Sequence, residues 1–151
     1  LVTSNNHYLK GVAVLLEALC LLDPRERELL HVVVAGHCDD DTFVDFIARR
    51  GLQDCCELVG WIRDIDRLYQ AADIFLHPTY HDAGSLSTLK ALSAGCAVVT
   101  SCMDGSSEVI EDGLSGLVLR RPGDALELAG ALRRLLDADL RKRLGNAALR
   151  L

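Results

Sequence analysis

Residues 79–85 read Thr-Tyr-His-Asp-Ala-Gly-Ser and concentrate the groups in this chain best suited to holding an anion. Ser85 stands where a helix cap belongs, just ahead of an apolar repeat at Leu86, Leu89 and Leu92. A helix start leaves backbone N–H groups without intrahelical acceptors, and the helix dipole adds partial positive charge there. A phosphate is the usual occupant of such a place. Gly84 lets a ligand approach the backbone closely. Lys10, at the opening of another helix, carries a compact ammonium of the kind that meets a phosphate as a point charge. The plain alternatives are that Gly84-Ser85 is only a helix cap and that Lys10 is a solvated helix-start lysine.

These groups need elements to position them. A strand-like run, Asp73-Ile74-Phe75-Leu76-His77, stops at Pro78. Gly95 ends the helix that Ser85 opens, and a second apolar strand, Cys96-Ala97-Val98-Val99-Thr100, follows at once. Strand, loop, helix and strand make a βαβ unit, which sets the polar loop at the carboxyl end of a parallel strand, where open α/β sheets bind ligands. The rest of the chain has the same rhythm. Leu1 to Thr3 reads as the end of a strand. Lys10-Gly11 opens a helix with apolar Val12, Leu15, Leu16, Leu19 and Leu22, and Asp23-Pro24 marks its end or a turn. Strands are expected over 31–36, 56–60 and 116–119, and amphipathic helices over 42–50, 65–72, 124–136 and 139–149, with a short helical turn at 108–110. Polar loops at 4–10, 36–41, 60–64, 79–85 and 101–107 should crowd one sheet edge. The pattern predicts a doubly wound, Rossmann-like α/β domain with a mainly parallel sheet over 1–151.

Composition narrows the function. A chain of 151 residues, half of them hydrophobic, can bury a real core. The formal net charge is −6, which argues against a general nucleic-acid binder, so an anionic ligand must be held by a local site. No apolar run is long enough to predict a membrane-spanning helix. The start lacks a signal-peptide pattern and an initiator Met, and we expect a fragment of a longer chain. The six cysteines, Cys20, Cys38, Cys55, Cys56, Cys96 and Cys102, have no metal-site spacing and read as buried reduced thiols. The G-x-G-x-x-G fingerprint, the Walker A sequence and the G-x-S-x-G elbow are all missing, which leaves a dinucleotide oxidoreductase a distant alternative.

Several stretches together resemble one family. They are Lys10-Gly11, the strand ending at Gly36, Leu58-Val59-Gly60-Trp61, the run from Tyr69 through Asp73 to Pro78, the run from Ala91 through Gly95 to Thr100, Gly105-Ser106-Ser107-Glu108-Val109-Ile110 and Asp112-Gly113-Leu114-Ser115-Gly116. Over nearly its whole length the chain is similar to the carboxyl-terminal half of a GT-B-fold, retaining glycosyltransferase of the family 4 type (glycosyl transferases group 1). The resemblance implies transfer of a hexosyl group from a nucleoside-diphosphate sugar to a glycan or lipid-linked acceptor of the cell envelope. This half would bind the donor, and an amino-terminal half absent from the chain would bind the acceptor. It implies no cofactor, no metal and no nucleic acid, a cytoplasmic enzyme, and peripheral contact with the inner membrane face only through the other half.

Residue by residue, the resemblance implies that Lys10 contacts the donor diphosphate. Asp82, at the first of two signature acids, faces the transferred sugar. Ala83, Gly84, Ser85 and Leu86 border the distal phosphate and sugar, the last three with backbone N–H groups. Gly60, Trp61 and Ile62 lie where relatives hold the nucleobase, although Trp61 could equally be core. Two positions depart from the pattern. Asn5 replaces an arginine and weakens one phosphate contact. Lys90 replaces the second acid, which accepts hydrogen bonds from the ribose, a loss of roughly 1.5–3 kcal/mol. It could supply a second cation for the diphosphate, or be an exposed helix residue. His77, Asp104 and Glu108 read as structural, and His81 has no assigned role. A non-catalytic nucleotide-sugar-binding module and a GT-B sugar-nucleotide epimerase are the competing readings.

Overall fold

Six short strands alternate with helices in a computed structural model that describes residues 1–37 and 41–151. In chain order they are β1 (Val2–Thr3), α1 (Val12–Cys20), α2 (Pro24–Glu28), β2 (Val32–Ala35), α3 (Thr42–Arg49), β3 (Cys56–Gly60), α4 (Ile65–Ala71), β4 (Ile74–His77), α5 (Leu86–Ser93), β5 (Ala97–Ser101), a 3₁₀ turn (Gly105–Val109), β6 (Leu117–Leu119), α6 (Ala125–Leu135) and α7 (Ala138–Ala148). Every strand pair among the described residues is parallel, as expected. β2 lies between β1 and β3, and β5 between β4 and β6. Two backbone hydrogen bonds, Leu1 N to Ile74 O (2.8 Å) and Leu76 N to Leu1 O (2.9 Å), bring β1 beside β4. The strands therefore run 3-2-1-4-5-6, and the direction of winding reverses between β1 and β4. An open α/β sheet binds its ligands outside such a reversal. No helix among the described residues is long and apolar enough to cross a membrane.

Side-chain alternation along the strands divides the core between the two sheet faces. Ala97 and Val99 of β5 join Leu76 and Val2 under α1 and α6, together with Leu15, Leu19, Leu128 and Leu132. Val98 points the other way and joins Phe75, Tyr69 of α4, Ala91 and Leu92 of α5, and Ala148 of α7. Three features depart from expectation. Asp23-Pro24 starts α2 rather than merely ending α1, because the Asp23 side chain caps Glu26 N while the Glu26 side chain caps Asp23 N, with Pro at the first helical position. α5 does not bury Leu86 and Leu89, which are 74% and 40% exposed; Thr88, Ala91 and Leu92 form its inner face. Of the cysteines, Cys55, Cys56 and Cys96 are buried and free, but Cys102 is exposed and Cys20 half-buried; Cys38 lies outside the described residues. Burial pushes the Cys56 thiol up to about 12 and keeps it inert.

Gly11 joins the two elements that matter most for the site. Its φ is +76°, and a Cβ there would lie 2.1 Å from the Pro78 carbonyl oxygen. Tyr80 N and Thr79 Oγ1 both donate to Leu9 O, at 2.9 and 3.0 Å, so the loop before α1 and the loop after β4 are fastened together. Gly11→Ala is expected to destabilise the fold by about 2–4 kcal/mol, from the left-handed backbone and the overpacking combined. Urea unfolding at unchanged m-value checks this.

Candidate functional site

A cleft of about 540 Å³ opens at the carboxyl edge of the strands, across the β1–β4 reversal. Ser4, Asn5 and Lys10 line it from the loop after β1, Trp61 and Ile62 from the loop after β3, and Gly84, Ser85, Leu86 and Ser87 from the start of α5. A second cavity of about 470 Å³, at the amino edge of the strands, is lined mainly by apolar groups such as Leu30, Leu68, Leu132 and Leu135. Its lining also includes His31, Asp73 and Arg141, and it lies at the strand edge opposite the one where open α/β sheets bind their ligands.

The start of α5 is built around a buried carboxylate. Asp104, 1% exposed, sits in the loop after β5. Its Oδ1 accepts from Ser85 N (3.2 Å) and Ser106 N (3.0 Å), and its Oδ2 from Thr88 Oγ1 (2.8 Å) and Thr100 Oγ1 (2.8 Å). Ser85 in turn caps Thr88 N with its hydroxyl (3.2 Å). Leu86 and Ser87 are the first two helical residues, and their N–H groups belong to the set a helix leaves without intrahelical acceptors. Gly105 completes the arrangement: a Cβ there would lie 2.1 Å from Ala83 O, and Gly105 N donates to Asp82 O at 2.8 Å.

Asp82 and Lys10, 72 residues apart, meet on the cleft wall. Lys10 Nζ lies 2.5 Å from Asp82 Oδ2, with both side chains mostly buried. The same oxygen is 3.1 Å from His77 Nε2, and Asp82 Oδ1 accepts from Gly84 N at 3.3 Å. Burial works against the charge on Asp82, but the hydrogen bonds from Lys10, Gly84 and His77 outweigh it and hold the carboxyl below its usual range. His77 goes the opposite way. Its burial pushes it below the ordinary imidazole value, although Asp104 and Asp82 favour the charge. A neutral His77 beside an ionised Asp82 must donate from Nε2.

Other residues singled out from the sequence fall as follows. Trp61 is 71% exposed, so the core alternative is excluded. Gly60 ends β3 and its carbonyl accepts Gly36 N at 2.7 Å; neither it nor Ala83 lines the cleft. Lys90 lies outside the cleft lining as well, its ammonium 2.8 Å from Asp66 Oδ1 between α5 and α4. The structure therefore brings no second lysine to the lining of the cleft. Sequence reasoning missed Ser4, His37, Ile65 and Ser87 as lining residues, and the direct contact of His77 with Asp82. The Asp-Gly-Ser run at 104–106 has the signature of a side-chain cap, which could have pointed to Asp104 but not to its partners across the sheet.

The sequence profile of the glycosyl transferases group 1 family matches residues 1–138. The chain is 30% identical over 127 residues to the lipopolysaccharide glucosyltransferase WaaG of Escherichia coli K12, covering 84% of this chain and 34% of that protein. It is 33% identical over 139 residues to the amylovoran biosynthesis glycosyltransferase AmsK of Erwinia amylovora, covering 86% and 34%. The crystal structure of WaaG, a glycosyltransferase involved in lipopolysaccharide biosynthesis, matches with a TM-score of 0.91 at 27% identity over 99% of this chain and 41% of that one. The chain thus spans about a third of the length of these relatives.

Asp104→Ala is expected to lower stability by about 3 kcal/mol, because two amides and two hydroxyls lose their acceptor in a dry place. Chemical denaturation reads that loss, and amide exchange should show the start of α5 opening first. A pH effect follows from His77 and His7, both held below the ordinary value by burial. Below about 6.5 the unfolded chain binds more protons than the folded one, so stability falls as pH drops from 7 toward the depressed folded values. Urea midpoints at pH 7 and pH 5.5 should show this loss, reduced in His77→Gln.

Proposed function

The chain belongs to the glycosyl transferases group 1 family, and from that membership we propose that residues 1–151 are the donor-binding, carboxyl-terminal domain of a longer retaining hexosyltransferase. Its donor is a nucleoside-diphosphate sugar, and its acceptor, a glycan or lipid-linked glycan of the cell envelope, is held by an amino-terminal domain. The reading is supported most by one juxtaposition: the ammonium of Lys10 and the first residues of α5 border the same cleft, at the switch point of the sheet. Lys10 and the α5 amides hold the diphosphate. They also stabilise the charge that grows on it as the glycosidic bond breaks. Asp82 orients the sugar. Gly84 admits the phosphate close to the backbone, and Ser85 and Leu86 border it. Trp61 and Ile62 give the base an apolar shelf. Asn5 meets a phosphate oxygen as a neutral group, more weakly than an arginine. No residue acts as a nucleophile, and the chemistry asks for no metal or cofactor. The intact enzyme works in the cytoplasm, and any membrane contact lies in the other half.

Lys10 is paired to Asp82, so the diphosphate must compete for its ammonium. The exchange is favourable because a diphosphate offers more negative charge than one carboxylate. One observation favours the second reading, a degenerate binding module. Lys90 stands where the family carries an acid for the ribose, and it is tied to Asp66 away from the cleft lining.

Calorimetric titration with UDP, GDP and ADP and their glucose adducts tests the proposal. Saturable binding to one base is expected, weakened about ten- to hundred-fold in Lys10→Ala, the loss of one charge-assisted contact. Unchanged affinity in Lys10→Ala overturns the assignment. Tighter binding in Lys90→Glu would identify a degenerate site. The chain alone should turn over no donor onto an acceptor, and acceptor-dependent turnover by residues 1–151 contradicts the division of labour.

A further inference from the structure

Asp82 Oδ2 takes two donors at once, and they differ in kind. Lys10 reaches it on a flexible four-carbon stem from the loop ahead of α1. His77 reaches it from the end of β4, with 1% of its surface exposed and its ring stacked on Phe75 at 6.2 Å between centroids. The other ring nitrogen, Nδ1, is buried and has no hydrogen-bond partner among the described residues. A ring held this way stays where the strand puts it. If the ammonium leaves for a diphosphate, as the donor reading requires, the side chain of Asp82 keeps only the long contact from Gly84 N at 3.3 Å and the bond from His77.

We infer that His77 is a positioning residue for Asp82: its Nε2–H holds the carboxylate on the cleft wall while Lys10 turns to the donor diphosphate, so that the acid stays aimed at the transferred sugar. This inference rests on the donor reading for its consequence, though not for its geometry. A neutral donor suits the task. It fixes the carboxylate without cancelling its charge, which an imidazolium would do. The charged groups around the ring are Asp82 itself, Lys10 from the loop before α1, and Asp104 from the loop after β5. The burial that disfavours a proton on Nδ1 thus serves the site, and the unpartnered nitrogen is its consequence.

Two measurements decide the matter. The first is ¹⁵N NMR of the histidine-labelled, ligand-free chain. A neutral His77 with its proton on Nε2 at pH 7 is expected; an Nδ1–H tautomer or an imidazolium overturns the inference. The second compares the affinity for the nucleoside diphosphate that binds best among UDP, GDP and ADP with that for its glucose adduct. In His77→Leu the preference for the adduct should fall about ten-fold, the worth of one hydrogen bond to a charged group, while the diphosphate alone binds as before. In His77→Gln, whose side-chain N–H can stand near Nε2, most of the preference should return. Equal loss for both ligands marks a merely structural residue and overturns the inference, as does an unchanged preference in His77→Leu. A failure of the donor reading looks different: wild-type chain then binds none of the six ligands, and the NMR result alone decides the role of His77.

Discussion

A carboxylate withdrawn from water must find donors, and Asp104 finds four in three different segments. Thr100 anchors it to β5, Ser106 to the 3₁₀ turn, and Ser85 and Thr88 to the start of α5. The arrangement sets where the first turn of α5 lies relative to the sheet, and hence where its unpaired amides present themselves. It also brings Asp82 into register, because Asp82 N donates to Met103 O (3.0 Å) and Gly105 N to Asp82 O, a short parallel bridge between the two loops. One buried carboxylate on a loop thereby places the unpaired amides of a helix end and the acid beside them.

The second constraint is charge. The chain carries a formal −6, and an anionic ligand entering this cleft meets a local field made by Lys10 and the α5 terminus. In the ligand-free state Asp82 neutralises Lys10. The pair keeps an ammonium and a carboxylate, both mostly buried, from standing unpartnered in the cleft wall, which would be destabilising. Lys90 lies outside the cleft lining, with its ammonium paired to Asp66. The site depends on a single lysine where a second cation was conceivable from the sequence.

Much of the architecture was legible because its punctuation is chemical. Apolar runs closed by Gly36 and Gly60, and one that follows Gly95, read as buried parallel strands, and the observed strands begin and end within a residue or so of expectation. α2 escaped because its sequence, Pro-Arg-Glu-Arg-Glu, has no apolar face; its only signature was the Asp23–Glu26 capping pair. The leucine repeat at 86, 89 and 92 locates α5, but only Leu92 of the three belongs to its inner face; on hydrophobicity alone a leucine repeat outweighs Thr88 and Ala91. Packing decided otherwise: small residues let the helix sit close to β5, and Thr88 has Asp104 for a partner. Of the site, the loop 79–85 and Lys10 could be named. The meeting of Lys10 with Asp82 across 72 residues, the hold of His77 on the same oxygen, and the diversion of Lys90 to Asp66 depend on how β4, α4 and α5 pack. No local pattern carries that information.

The most direct test of the central claim is a crystal structure of residues 1–151 with the nucleoside diphosphate that binds best. The account predicts the diphosphate between Lys10 Nζ and the amides that open α5, with the ammonium drawn from Asp82 and the carboxylate still bonded to His77 Nε2. A diphosphate seated elsewhere, or one bound with the Lys10–Asp82 pair intact, would contradict it.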